Sequence, residues 1–344
     1  MANERTLLVA TDGQAVMRSH DDGTTWYRIN TGQDLEFDDR VRCLLIDPAN
    51  PRAIFAGAER GLFRSEDCGS RWDRVACALD DYAVWKLAAS ESDPNILYAG
   101  TGSPTRSILF RSADGGKSWE RTPLEMPERC AGVSRPRMLA IAVDPTDPRD
   151  VMVGVEEGGY FRSRDGGDNW ERIDTQWEDY PGNSDIHDIV ILDGAPKVIL
   201  VLTVVALYRS TDDGRTWTRK GARDSWGLRY SRCLQRKPGS NTELALGIGD
   251  GTPGTTASVL LSADAGETWE HSILSQPANS CIWAFGANDA DPEFLLTATK
   301  FGNLFRSADG GHRWTKEWRE FNEITDLAWI DGVPSNMELP HVTG

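Results

Sequence analysis

One eight-residue pattern recurs along this chain and constrains its fold more than any other feature. The pattern is Ser-x-Asp-x-Gly-x-x-Trp, and all four named residues are retained in each of seven copies. The copies are residues 19–26, 65–72, 112–119, 163–170, 210–217, 262–269 and 307–314. Successive copies start about 45 to 52 residues apart, which is the period of a propeller blade made of four strands. The repeat therefore predicts a ring of similar β-sheets.

The residues of the octet suit a tight turn between two strands. Its Asp can accept hydrogen bonds from nearby backbone N–H groups, and its Gly allows a positive φ. The Trp can pack beneath the turn while its indole N–H finds an acceptor. One Asp per turn supplies too few oxygens for a calcium site, which needs about six to eight. The octet is predicted to be a structural element.

Each repeat contains further strand-like runs, as at 41–48, 54–57, 61–65 and 72–75. Apolar runs separated by Gly and Pro turns are typical of short antiparallel strands. The fold prediction is all-β, a single seven-bladed β-propeller of four-stranded antiparallel blades covering residues 1–331.

The chain ends are predicted to share one blade. Segments 7–10, 16–19 and 26–29 supply three strands, and the first strand of that blade must come from 324–330. Blade 1 is therefore 324–330 plus 6–30, and the N-terminal strands pair with a C-terminal strand. Such closure removes exposed sheet edges. Residues 332–344 are expected to form a loosely held polar tail.

The octet is identified as the Asp-box, or bacterial neuraminidase repeat. The chain therefore resembles the Asp-box propeller superfamily of sialidases, xyloglucanases, sortilin-type receptors and photosystem assembly factors. The resemblance covers nearly the whole chain. In that superfamily the box occurs in catalytic and non-catalytic members, so it indicates the fold and leaves the chemistry open.

Composition excludes some classes of partner. Lys and Arg number 37 against 53 Asp and Glu, a net charge of −16, which argues against nucleic acid and anionic membranes as partners. No apolar run is long enough to span a membrane, and the first residues have no signal-peptide pattern, so a cytoplasmic protein is expected. The six cysteines form no C-x-x-C pair and are expected to be reduced.

Alignment of the repeats predicts a ring of side chains where the inner strands begin. The ring consists of Arg42, Trp85, Leu139, His187, Arg232, Trp283 and Thr325. Two positions earlier stand Arg40, Ala83, Arg137, Asp185, Tyr230, Cys281 and Glu323. Loops on the same face add Glu59, Glu156, Asp250 and Lys300. These residues are expected at the mouth of the central channel, on the face opposite the Asp-boxes.

His187, Asp185 and Glu156 are the predicted catalytic residues. A carboxylate beside an imidazole can orient it and raise its basicity, and Glu156 could complete an acid–base set. The alternative is that His187 is a hydrogen-bonded structural residue at a strand start. His20 and His312 lie inside Asp-boxes and are expected to be solvated.

The predicted ligand-binding residues are polar or aromatic and come from most of the blades. They are Arg42, Trp85, Arg137, Tyr230, Arg232, Trp283, Asp250 and Lys300. The three arginines could hold one carboxylate, and the sialidase resemblance implies the same arrangement. However, the chain lacks the Arg-Ile-Pro motif and has seven blades where sialidases have six. Salt bridges between blades are the alternative.

Aromatic residues and one turn carboxylate offer further ligand contacts. Trp85, Trp226 and Trp283 are expected to face the mouth, where they could stack on a sugar; for Trp85 and Trp283 packing between blades is the alternative. Asp12 lies in a loop that resembles the catalytic loop of xyloglucanases. Those enzymes use two facing propellers, so Asp12 is expected to be a turn residue.

The sequence thus predicts a protein directed to a small molecule or saccharide at the channel mouth. If catalytic, it would be a hydrolase or lyase without an organic cofactor, because no G-x-G-x-x-G or Walker motif is present. A metal ion at the mouth stays open. The alternative is a non-catalytic assembly propeller that binds a protein partner, as the resemblance to photosystem assembly factors implies.

Overall fold

The computed structural model describes residues 5–29, 31–130, 132–173, 175, 177, 184–222 and 226–332. Its strands form seven sheets, and each inner strand packs against the inner strand of the next blade. The inner strand of blade 7 packs in turn against that of blade 1, so the ring is closed. The prediction of an all-β seven-bladed propeller is confirmed.

Each blade runs from an inner strand at the channel to an outer strand at the rim. In order from blade 1, the inner strands are Ile324–Asp331, Val41–Asp47, Ala83–Ala89, Met138–Val143, Ile186–Leu192, Tyr230–Arg236 and Ile282–Gly286. The second strands are Arg5–Thr11, Asn50–Ala58, Leu97–Gly102, Val151–Val155, Val198–Thr203, Leu244–Gly249 and Leu295–Thr299. The third strands are Val16–Ser19, Gly61–Ser65, Leu109–Ser112, Gly159–Ser163, Ala206–Ser210, Ala257–Ser262 and Asn303–Ser307.

The outer strands are the least regular. From blade 2 onward they are Asp73–Arg74, Glu120–Arg121, Glu171–Arg172, Thr218–Ala222, Glu270–His271 and Arg313–Glu320. In blade 7 the short strand Ile273–Leu274 adds in parallel to the outermost edge. In blade 1 the predicted outer strand at 26–29 is reduced to one bridge between Arg18 and Tyr27, so this sheet has three strands.

Blade 1 is built from both ends of the chain, as predicted. The pairing runs antiparallel from Arg5 opposite Asp331 to Thr11 opposite Ile324. Gly332, the first residue of the predicted tail, accepts a hydrogen bond from the Thr6 hydroxyl at 3.0 Å. The rest of that tail, 333–344, lies outside the described residues.

The Asp-boxes form self-contained turns. In blade 2 the Ser65 hydroxyl donates to Asp67 at 2.8 Å and accepts from the Gly69 N–H at 2.8 Å. Cys68 and Gly69 have φ values of +58° and +82°, so two successive left-handed residues make the turn. The Trp72 indole N–H donates to the Gly69 carbonyl at 3.1 Å. The structural role predicted for the octet follows from these contacts.

One Asp-box histidine differs from expectation. His312 is exposed, as predicted, but His20 is only 4% exposed. Its Nδ1 lies 3.0 Å from Thr6 Oγ1, and its Nε2 lies 3.4 Å from Ser70 Oγ in blade 2. The prediction of a solvated His20 is wrong because this ring packs into the interface between blades 1 and 2.

Candidate functional site

A β-bulge interrupts every inner strand at the same place. The pairing with the second strand skips one residue in each blade. The skipped residues are Thr325, Arg42, Trp85, Leu139, His187, Arg232 and Trp283, and all seven line the central channel. A bulge re-aims a side chain, and these bulges turn the aligned residues into the channel. We call these seven residues the bulge ring; their placement was predicted from the alignment.

Small residues opposite the bulge allow neighbouring blades to approach closely. Gly57 pairs with Cys43, the residue after the bulge of blade 2. A Cβ at Gly57 would lie 2.6 Å from Cys43 Sγ and 2.7 Å from Val84 of blade 3. Gly100, Gly154 and Gly247 meet the next blade in the same way. The channel wall therefore depends on glycine in the second strand of four blades.

The channel encloses a cavity of about 1100 Å³ that opens at the predicted mouth. Two groups of charged and aromatic side chains line this opening. The first is centred on Trp85 and contains Arg42, Arg137, Asp12, Glu59 and Glu156. The second is centred on Trp283 and contains Arg232, Lys300, Tyr230, His187 and Asp185.

Trp85 lies between two arginines from the blades on either side. The guanidinium carbons of Arg42 and Arg137 are 4.7 and 4.8 Å from its ring centroid. Its indole N–H donates to the Ser103 carbonyl at 2.7 Å. Cation–π contacts of this kind stabilise the packing between blades. The Trp85 ring therefore packs between blades, as the alternative interpretation of the sequence predicted.

Carboxylates neutralise both arginines on Trp85. Arg42 donates to Asp12 at 2.8 Å and also contacts Glu59. Arg137 forms a bidentate ion pair with Glu156, which is 8% exposed. Asp12 therefore holds arginines in place, and both oxygens of Glu156 are occupied.

Trp283 also lies between two cations, but only one of them is ion-paired with a described residue. Arg232 Cζ and Lys300 Nζ are each 4.2 Å from the Trp283 ring centroid. Lys300 is paired with Glu323 at 2.7 Å. Arg232 has no ion pair with any described residue. The three predicted arginines are therefore divided between two tryptophans, and Arg232 is the one available to a ligand.

His187 and Asp185 lie together at the edge of this second group. His187 Nδ1 donates to the Ser231 carbonyl at 2.6 Å, and His187 Nε2 is 3.4 Å from Asp185 Oδ2. Burial tends to raise the pKa of Asp185, but His187, Arg232 and Arg137 outweigh it, so the net pKa is lowered. Asp185 Oδ1 is buried and has no hydrogen-bond partner among the described residues.

Of the two other predicted residues, Tyr230 lies beside His187 and Asp250 lies in a separate loop. Tyr230 packs edge-on against His187 at 5.4 Å, and burial raises the pKa of its phenol to about 12. Asp250 accepts hydrogen bonds from Thr255 and Thr256 in its own loop, which lower its pKa. Its carboxylate therefore orders that loop.

The expectation for Trp226 was wrong, because this residue does not face the mouth. It is 7% exposed and packs against Trp269 at 6.3 Å between ring centroids. An indole buried between blades removes more apolar surface from water than one at the mouth, which favours the packed position of Trp226.

The alignment missed a second set of channel residues directly after the bulge ring. These residues are Cys43, Lys86, Ala140, Asp188, Cys233, Ala284 and Asp326, which we call the inner tier. All except Ala140 line the cavity. The next position of the same alignment would have identified them, because a bulge lets two successive residues face the channel.

No metal site or membrane-spanning helix emerges from the described residues. Within them, no three His, Cys, Asp or Glu side chains are grouped so as to hold a metal ion. The described part of the chain also has no helix of the length and apolarity that crossing a bilayer requires. All six cysteines are free thiols.

Comparison with known proteins gives two groups of relatives. The family model described as photosynthesis system II assembly factor YCF48 matches residues 104–229. A xyloglucanase from Paenibacillus sp is 28% identical over 86% of this chain, which corresponds to 32% of the xyloglucanase. The chain spans between 32 and 42% of the length of the first curated relatives it matches.

Solved structures from both groups resemble this chain. The GH74 xyloglucanase from Xanthomonas campestris superposes with a TM-score of 0.62 at 23% identity, covering 80% of this chain and 45% of the enzyme. YCF48 bound to a D1 peptide gives a TM-score of 0.52 at 17% identity, covering 81% and 82%. At these identities the structural matches establish the fold alone. The chain thus has the fold of the Asp-box seven-bladed β-propellers.

Proposed function

We propose that this propeller binds a saccharide at the mouth of its channel. The observation that carries the proposal is the pair of unsatisfied groups beside Trp283. Asp185 Oδ1 is a buried acceptor without a partner, and Arg232 is a cation without an ion pair, among the described residues. Buried polar groups are normally hydrogen-bonded, and both residues line the channel cavity, so they are suited to a ligand.

The mixture of charges at the mouth favours hydroxyl groups over an ionic ligand. An anion would be attracted to Arg232 and Lys300 but repelled by Asp185. A sugar hydroxyl can accept from Arg232 and donate to Asp185 at the same time. The sequence similarity to xyloglucanases supports the same class of ligand.

The three predicted catalytic residues do not supply a general acid. Glycoside hydrolysis requires a carboxylic acid with a raised pKa to protonate the leaving group, together with a second carboxylate. Asp185 has a lowered pKa, and both oxygens of Glu156 are held by Arg137. Both ring nitrogens of His187 are engaged. Catalysis by His187, Asp185 and Glu156 stays a prediction, with Asp185 the most accessible base.

Calorimetric titration with xyloglucan oligosaccharides tests the proposal. We expect saturable binding that Arg232→Gln weakens at least tenfold, because a charged hydrogen bond to the ligand is lost. Arg149→Gln is the matched control, since Arg149 is 72% exposed at the side chain and pairs with Asp147 in another turn. Absence of saccharide binding, or equal loss in both variants, would contradict the proposal. Release of reducing ends would demonstrate turnover.

A protein partner is the second candidate, and two exposed aromatic residues favour it. Phe37 and Phe301 are 45% and 44% exposed and lie in connections on the mouth face. The YCF48 family-model match and the structure of YCF48 with a D1 peptide support this function. Titration with a D1 peptide tests it. Binding that Phe301→Ser removes while Arg149→Gln does not would favour the scaffold function, and no peptide binding would contradict it.

A further inference from the structure

The inner tier places three charged side chains inside the channel. Lys86 comes from blade 3, Asp188 from blade 5 and Asp326 from blade 1, so they approach the channel from three sides. Asp188 and then Asp326 are the carboxylates that most strongly favour the charged form of Lys86. The three groups therefore share one electrostatic environment.

These charges face one another without making contact. Within the part of the chain that the structure describes, no carboxylate oxygen lies within 4.0 Å of Lys86 Nζ, and Lys86 makes no side-chain hydrogen bond. A lysine removed from bulk water normally has a direct partner because an isolated charge is costly to bury. The gap between the ammonium and the two carboxylates is part of the channel cavity.

Backbone groups hold both carboxylates in place. Asp188 accepts from the N–H groups of Ile189 at 3.0 Å and Leu234 at 3.0 Å. Asp326 accepts from Leu327 at 2.9 Å and Leu44 at 2.8 Å. Each carboxylate oxygen has a further lone pair, which leaves an acceptor position for another group. The carboxylate oxygens of Asp188 and Asp326 are thus held in position. No hydrogen bond or ion pair to a described residue holds the Lys86 ammonium group.

A group that both donates and accepts hydrogen bonds matches this set of charges. An anion would meet two aspartates, and a cation would meet Lys86. A hydroxyl can donate to an aspartate and accept from the ammonium, so neighbouring hydroxyls of a neutral sugar ring satisfy all three residues without adding charge.

We infer that Lys86, Asp188 and Asp326 form an inner subsite that receives the terminal sugar of a saccharide entering from the mouth. The inference rests on the proposed function and extends it, because it states how the ligand enters. A chain end can pass between the Trp85 and Trp283 groups and reach the inner tier. Because the ring of blades is closed, an internal unit of a polysaccharide reaches the inner tier only after a chain end has entered. The protein therefore recognises saccharide ends.

Two measurements on the intact protein test the inner subsite. The first is titration of Lys86→Met with xyloglucan oligosaccharides, beside Lys117→Met as control. Lys117 is exposed in the Asp-box turn of blade 3, on the opposite face. We expect at least a tenfold loss of affinity in Lys86→Met and none in Lys117→Met. Lys86→Met should fold normally, because Lys86 makes no direct bond to the described residues.

The second measurement is acetylation of individual lysines followed by peptide mass spectrometry. Oligosaccharide should slow acetylation of Lys86 at least fivefold and leave Lys117 unchanged. If the wild-type protein binds oligosaccharide while Lys86 is neither protected nor required, the inner subsite is refuted and the mouth site stands. If no saccharide binds the wild-type protein, both proposals fail. Equal binding per unit mass of long xyloglucan and its oligosaccharides would refute recognition of ends.

Discussion

His187 Nδ1 donates to the carbonyl oxygen of Ser231 at 2.6 Å, across the interface between blades 5 and 6. Thr325, at the same bulge position in blade 1, donates its hydroxyl to the Val41 carbonyl of blade 2, also at 2.6 Å. Val41 immediately precedes the bulge residue of its blade, as Ser231 does. The imidazole and the hydroxyl therefore make equivalent contacts between neighbouring blades.

This equivalence predicts how substitutions of His187 affect stability. His187→Thr should keep a donor for the Ser231 carbonyl. Its free energy of unfolding should therefore lie within about 1 kcal/mol of that of the wild type. His187→Ala leaves that buried acceptor unpaired and should cost about 1–3 kcal/mol. Urea denaturation of the two variants provides the comparison. Equal stability of both variants would show that the contact is unimportant.

Acidification should destabilise the interface between blades 1 and 2 through His20. Burial, reinforced by Arg18, lowers the pKa of His20 from 6.5 to about 4. The unfolded chain therefore binds more protons, and stability falls as the pH drops from about 6.5 to about 4. The loss is about 3 kcal/mol, since one pKa unit corresponds to about 1.4 kcal/mol. Above pH 6.5 this group has no such effect.

The matching measurement is denaturation of the wild type and His20→Gln at several pH values. The difference in unfolding free energy between them should change between pH 6.5 and 4 and stay constant above pH 7. A constant difference across the whole range would exclude His20 as the source.

Gly57 should not tolerate a side chain. Gly57→Ala places a methyl group 2.6 Å from Cys43 Sγ and 2.7 Å from Val84. Overpacking of this kind costs about 1–3 kcal/mol. The cost should shrink when Val84→Ala is present, and a double-mutant cycle measures that coupling. Strict additivity of the two substitutions would mean that the clash is relieved elsewhere.

Removal of the closing strand should expose a sheet edge. Deletion of residues 324–344 leaves Arg5–Thr11 without its inner partner, Ile324–Asp331. Unpaired edges promote association, so the shortened protein should form oligomers in light scattering. Deletion of 333–344 alone is the control and should leave the protein monodisperse to the same degree as the full chain. A well-behaved 1–323 fragment would contradict this account of closure.

The sequence alone determined the number of blades, their antiparallel order, the shared blade and the bulge ring. These features repeat, and repetition lets seven copies reinforce a pattern that one copy could not establish. The Ser-x-Asp-x-Gly-x-x-Trp octet also has a local cause, since its hydrogen bonds close within the same turn. Local interactions of this kind can be read directly from sequence.

Only the tertiary structure decided how the non-repeated side chains pair around the channel. Arg42 and Arg137 are held by Trp85 and nearby carboxylates, whereas Arg232 is not, and the three look alike in sequence. Lys86 and Asp326 are far apart along the chain and face one another across the channel only because the ring closes. Such contacts depend on distances across the channel, which the repeat period does not contain.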